Sequence, residues 1–200
     1  MSLAVALALV APARMPPVDR CPAEAGFVAF RSSLIRAAKL RDLDALVELM
    51  DENVRLSFGG SSGKQGFRDL WASKPERRDL LWRELGDALQ LGCAMRGASP
   101  VFPSMFVQAD KLDGFTSWIA RPGARLRRWP SRSAPIRGRL SWHVLTADGT
   151  WNGGEWIKVR TGDGRRSYVH TASVRSPISY RLFADRRKGE WRITAFIAGD

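Results

Sequence analysis

His143 and His170 are the only two imidazoles in 200 residues, so any histidine-based catalysis would have to turn on them. A catalytic triad needs a nucleophile, an imidazole base and an orienting carboxylate brought together. Neither histidine has a Ser or Cys whose spacing marks it as such a partner, and both fall in strand-like runs, so they are read as structural or surface side chains. Carboxylates offer little more. Glu48 with Asp51 or Glu52, and Glu84 with Asp87, stand about one helical turn apart, the spacing of an exposed charged face. Glycoside hydrolysis would need two carboxylates facing each other across a cleft. The glycine-rich run after Phe58 fails as a phosphate loop. Three residues separate Gly59 from Gly63 where four are required, and Gln65 replaces the Ser or Thr that would hold magnesium. No cluster of His, Cys and acidic residues has metal-ligand spacing. The reading is of a chain that is not an enzyme, with no catalytic residue, metal or cofactor.

Binding chemistry is better represented. Trp129, Trp142, Trp151 and Trp156 fall within one short stretch with arginines beside several of them. Flat rings and guanidinium groups together suit a sugar, a peptide or a base. Trp142 and Trp156 lie in strand-like runs and are expected in a core. Trp129 and Trp151 lie among turn residues and are expected at the surface, where Arg127 and Arg128 adjoin the first of them. From Arg121 to Arg175 the chain carries twelve basic residues and three acidic ones, a large part of its formal charge of +12. Such a surface attracts polyanions over a Debye length of about 8–10 Å in physiological salt.

The elements that must carry these groups are legible by period. In residues 23–41, Phe27, Phe30, Leu34, Ala37 and Ala38 recur at three- and four-residue steps, which predicts a helix with one buried face. Asp42 caps a second helix through Leu43, Leu46, Val47 and Met50. Residues 54–58 alternate like a half-buried strand, residues 65–72 and 76–91 read as helices, and residues 92–103 as a loop or linker. At the end, residues 179–184 and 190–197 predict a hairpin around Arg187, Lys188 and Gly189. A lone hairpin is marginal in water. It is therefore expected to pack back on the N-terminal helices or to extend a sheet with residues 54–58.

Export is expected from the first residues. Residues 3–10 are apolar and short, and Ala11-Pro12-Ala13 resembles a signal-peptidase site, although no basic residue precedes Arg14. The run is too short to cross a bilayer. Cys21 and Cys93 are the only cysteines, and an even pair in an exported chain invites a disulfide.

Between residues 123 and 174 several short runs rich in Val, Ile, Trp and Tyr alternate with Pro, Gly, Asp and Ser. The order Leu126, Arg127, Pro130, Ser131, Gly138, Trp156, Val159, Gly164 and Val169 resembles the bacterial SH3 family. Ser167 stands where that family has a second Gly, and Tyr168 where it has Trp. The resemblance implies a small β-barrel over residues 117–177 that binds a cell-envelope component, peptidoglycan or a peptide from it. Trp129, Trp151, Arg127, Arg128 and Tyr168 are the candidate binding residues. The whole is expected to be α+β: a mainly helical N-terminal domain over residues 22–116, the SH3-like barrel, and a C-terminal hairpin over residues 178–200 packing on the first domain. The helical pair, the strand ending in Phe58-Gly59 and the closing Gly189-x-Trp191-x-Ile193 strand also resemble the NTF2-like fold. The expected function is that of a periplasmic or secreted binding protein without a membrane span. Docking of an acidic protein partner, and nucleic-acid binding in the cytosol, are the alternatives.

Overall fold

A computed structural model describes residues 13–60, 62–160 and 164–199. The apolar run read as an export signal lies outside the described residues, apart from Ala13. The chain divides into two compact units. Unit 1 comprises Met1–Pro16 and Asp113–Pro177, and unit 2 comprises Pro17–Leu112 and Ile178–Asp200.

Unit 2 is built on a five-stranded sheet. Its strands are β1 (Met50–Arg55), β2 (Ala94–Arg96), β3 (Ser99–Phe102), β11 (Arg181–Arg187) and β12 (Glu190–Ile197), in the order β1-β12-β11-β3-β2. Only the β1–β12 pair is parallel. The helices are α1 (Ala25–Leu40), α2 (Leu43–Glu48), α3 (Gly63–Ala72), α4 (Pro75–Gln90) and α5 (Ser104–Gln108). The first turn of α2 is capped by Asp42, whose Oδ1 accepts from the Ala45 N–H at 3.0 Å, and Pro75 opens α4 where its missing N–H costs nothing.

The apolar stripes of α1 to α4 meet one face of the sheet in a single core. Phe27, Leu34, Phe67, Trp71, Leu81 and Leu85 are all buried there with Leu182, Ile193 and Phe196. Burying each such aliphatic or Phe side chain is worth about 1.5–3 kcal/mol. Trp71 is fully buried, 5.3 Å from the Tyr180 ring and 5.9 Å from Phe196, and Tyr180 stacks on Phe196 at 5.1 Å.

The start of unit 2 is sewn down. Cys21 and Cys93 form a disulfide with Cα atoms 5.4 Å apart. The Cys93 N–H donates to the Val18 carbonyl at 3.0 Å, and the Arg20 N–H donates to the Cys93 carbonyl at 2.7 Å. Gly92 makes the approach possible: at φ +73°, a Cβ there would lie 2.1 Å from the Val18 oxygen.

Unit 1 is a seven-stranded antiparallel sheet. Its strands are β4 (Ser117–Ala120), β5 (Ala124–Arg127), β6 (Ile136–Leu140), β7 (Val144–Ala147), β8 (Trp156–Arg160), β9 (Arg166–His170) and β10 (Val174–Arg175). The order is β10-β4-β7-β8-β9-β5-β6. Val174 of β10 and Leu126 of β5 lie five strands apart in that order yet belong to one buried cluster with Trp118, Ile157 and Val169. At about 4.8 Å per strand a flat sheet would separate them by more than 20 Å, so the sheet curls round its own core. Arg14 forms an isolated bridge with His143, and the Met15 N–H donates to the Trp142 carbonyl at 2.7 Å.

The expected fold class is corrected on these points. There is no closed SH3-like barrel, because no ladder joins the outer strands β6 and β10 among the described residues. The N-terminal region is not a helical domain either: three of its own segments, β1, β2 and β3, are strands of the five-stranded sheet, and the C-terminal hairpin supplies that sheet's inner strands. Residues 92–103, read as a loop, contain β2 and β3. Gly97 at φ +63° turns between them, and the run was too short for a two-residue period to show.

Candidate functional site

On unit 1, a cavity of about 280 Å³ opens beside β5, β8 and β9, lined by Arg125, Arg127, Arg132, Trp156 and His170, with Gly123, Ala172 and Ser173. None of these is acidic. Strand alternation explains how they converge. Ala124 and Leu126, Ile157 and Val159, and Val169 point into the curled sheet, which leaves Arg125, Trp156 and His170 on the other face. Trp156 and His170 are cross-strand partners in the β8–β9 ladder, and their rings meet edge to face at 5.1 Å.

Arg127 and His170 are held in place. Arg127, buried despite its charge, donates from Nη1 to the Ala134 carbonyl at 2.6 Å. His170 Nδ1 accepts from the Ala172 N–H at 3.1 Å. The other ring nitrogen, Nε2, faces both a guanidinium, which only donates, and a carboxylate, which only accepts. That nitrogen lies 3.4 Å from Arg132 Nη2 and 3.8 Å from Glu155 Oε1. The cavity therefore presents guanidinium N–H groups beside an imidazole and an indole ring, and the guanidinium donors suit a carboxylate or phosphate.

The excess charge nearby is not all available. Asp148 draws in Lys158, Arg160 and Arg166 at 3.2, 2.9 and 3.1 Å. Hydrogen bonds from Lys158 and then Arg160 hold its carboxyl below the usual range. Arg137 donates to the Arg166 carbonyl at 2.5 Å.

Among the residues expected to bind, Arg127 alone lines this cavity. Trp129 is 45% exposed in the loop after β5, with the Arg128 guanidinium 5.9 Å from its ring centre. Trp151 is 39% exposed but is pinned: its Nε1 donates to the Gly154 carbonyl at 2.8 Å and its ring meets Trp118 edge to face at 5.2 Å. Tyr168 is half-buried and pairs across the ladder with Arg127 and Lys158. The expected core role of Trp142 and Trp156 is corrected. Trp142 is half-buried at φ +62°, Trp156 lines the cavity, and the buried tryptophan of this unit is Trp118. Arg125, Arg132 and His170 were missed as site residues. For Arg125 the signal was the alternation of β5, which sets it against Ala124 and Leu126.

Among the described residues no His, Cys, Asp or Glu group could hold a metal ion, and no helix is long and apolar enough to cross a membrane. No protein-family model matches the chain, and no curated protein matches it. Among solved structures, the chain is similar to a designed NTF2-like protein, Rd1NTF2, with 11% identity over 86% of this chain and 96% of that one, at a TM-score of 0.30.

Proposed function

We propose that the chain is an exported, non-enzymatic binding protein whose strand-rich unit 1 takes a carboxylate-bearing component of the cell envelope, a peptidoglycan stem peptide, in the arginine-lined cavity. The observation that carries this reading is the convergence of Arg125, Arg127 and Arg132 with the His170 imidazole and the Trp156 ring on one space, against the single carboxylate of Glu155 beside His170. Arginine forks match carboxylates in two-point geometry, and the rings cover the apolar part of a peptide. The order of residues shared with the bacterial SH3 family supports the choice of an envelope ligand. The Cys21–Cys93 disulfide supports an oxidising compartment.

Retention of the full chain on purified peptidoglycan, and titration with a free stem peptide, test the reading. Binding is expected to weaken at least tenfold in Arg125→Ala/Arg132→Ala, to weaken as salt rises, and to persist in a variant of the exposed Lys39 on α1. No retention, or retention indifferent to the arginine pair, overturns it. Docking of an acidic protein remains the second reading, favoured by the same charge. It wins if binding follows salt but ignores the cell wall.

A further inference from the structure

A second space lies on unit 2, on the face of the sheet turned away from the helical core. β1 buries Met50 and Val54 toward that core, while Asp51, Asn53 and Arg55 line a cleft of about 410 Å³ with Asp185, Arg187 and Thr194. Asn53 and Arg55 also line an adjoining cavity of about 340 Å³, whose other walls include Phe58 and Ile197. The two shared residues make one groove, polar at one end and carrying an aromatic ring at the other.

The polar end differs in kind from the arginine cavity. Two carboxylates and two guanidinium groups cancel, and Asp51, Asp185 and Arg187 are tied in place. The Asp51 carboxylate accepts from the Asn53 N–H at 2.9 Å and lies 3.6 Å from Arg187 Nε. Asp185 accepts hydroxyl hydrogens from Ser99 on one oxygen and from Thr194 on the other. Such a surface offers a charged ligand no net attraction. What remains is a set of planar amide, carboxylate and guanidinium edges, donors and acceptors side by side, which is the complement of neighbouring hydroxyl groups. Phe58, 57% exposed, adds an aromatic ring at the far end, with the Arg181 guanidinium 5.8 Å from the ring centre on one side. An uncharged sugar has both features, a rim of hydroxyls and an apolar C–H face that lies on an aromatic ring.

We infer that this groove is a binding site for a neutral oligosaccharide, independent of the anionic ligand proposed for unit 1. The test is titration of the full chain with a panel of neutral trisaccharides of glucose, N-acetylglucosamine and mannose. Asn53→Ala and Phe58→Ala, both at exposed positions, are titrated in parallel, and circular dichroism checks that each is folded. At least one sugar is expected to bind with a dissociation constant at or below the millimolar range. Each variant should weaken it at least fivefold, and doubling the ionic strength should leave it unchanged because no net charge is involved. Both variants are expected to keep the wild-type affinity for the stem peptide, which separates this site from the unit 1 cavity. No binding by any member of the panel overturns the inference. So does binding that falls steeply with salt, or binding indifferent to both substitutions.

Discussion

Unit 2 buries most of its large rings, Phe58 being exposed, whereas unit 1 displays most of its tryptophans. In unit 2, Trp71, Phe27, Phe67, Phe102 and Phe196 are fully buried and Trp82 nearly so. In unit 1 only Trp118 is buried, while Trp129 and Trp151 are exposed and Trp142 and Trp156 half-buried. Helices laid on a sheet enclose volume that long side chains must fill. A sheet curled on itself encloses less and is filled by one tryptophan, Trp118, with Leu126, Leu145, Ile157 and smaller Ala and Val side chains. The same residue type therefore has different meanings: Trp71 is structural volume in unit 2, Trp156 is half-buried surface beside arginines in unit 1, and Phe58 is a surface ring of unit 2. Charge follows the division, since the unit 1 cavity is cationic and the unit 2 groove is balanced.

The contrast predicts a ranking of substitutions. Trp71→Ala should have the largest effect, a loss of about 3–5 kcal/mol in urea unfolding, because the surrounding rings cannot collapse into the space. The Trp71 indole N–H has no hydrogen-bond partner among the described residues, so Trp71→Phe should recover part of that loss. Next comes the disulfide: reducing it, or making Cys93→Ser, should cost about 2–5 kcal/mol, read as a lowered midpoint against the oxidised protein. Gly92→Ala should follow at about 1–3 kcal/mol, because φ +73° is strained for Ala and its methyl meets the Val18 carbonyl.

Acid sharpens the comparison further. The lowered pKa of Asp148 in unit 1 reflects hydrogen bonds from Lys158 and Arg160, and that of Glu24 in unit 2 reflects bonds from Arg186 and Trp191. A depressed carboxylate contributes stability that is present above its unfolded value, near pH 4, and lost as pH falls through its folded value. Asp148→Asn should be less stable than the wild type at neutral pH and should show a shallower loss in acid. The smallest effect on stability belongs to Trp129→Ala, within about 0.5 kcal/mol. If Trp129→Ala costs as much as Trp71→Ala, the division into filling and display is broken.

Much of unit 2 could be read from one dimension because its helices are long enough to show a period. Phe27, Phe30, Leu34 and Ala37 repeat at helical steps, and all four are buried in α1. The Asp42 cap and the hairpin strands around Lys188 were legible for the same reason. β2 and β3 were not, because three- and four-residue strands carry too little alternation. In unit 1 the residue order revealed strands and turns but not closure, which depends on whether β6 and β10 meet. Sequence spacing shows which face a residue takes, not which strands lie side by side. The cavity escaped for that reason: Arg125, Arg132, Trp156 and His170 span 46 positions and are gathered only by the ladder β8-β9-β5. The unit 2 groove escaped likewise, since it needs β1 beside β12, strands from opposite ends of the chain.

That parallel pair also governs the order of events during synthesis. β12, finished only at Ile197, lies between β1 and β11, so β1 has no neighbour in its sheet until synthesis has passed the C-terminal hairpin. All of the strands of unit 1, from β4 to β10, are complete by Arg175. The inner unit can reach its final pairing while the unit that surrounds it in sequence is still open, its aromatic face uncovered and its two cysteines 72 residues apart along an unfinished chain. A premature stop just before Glu190 would leave unit 1 with its full set of strands and unit 2 without the strand that joins its beginning to its end.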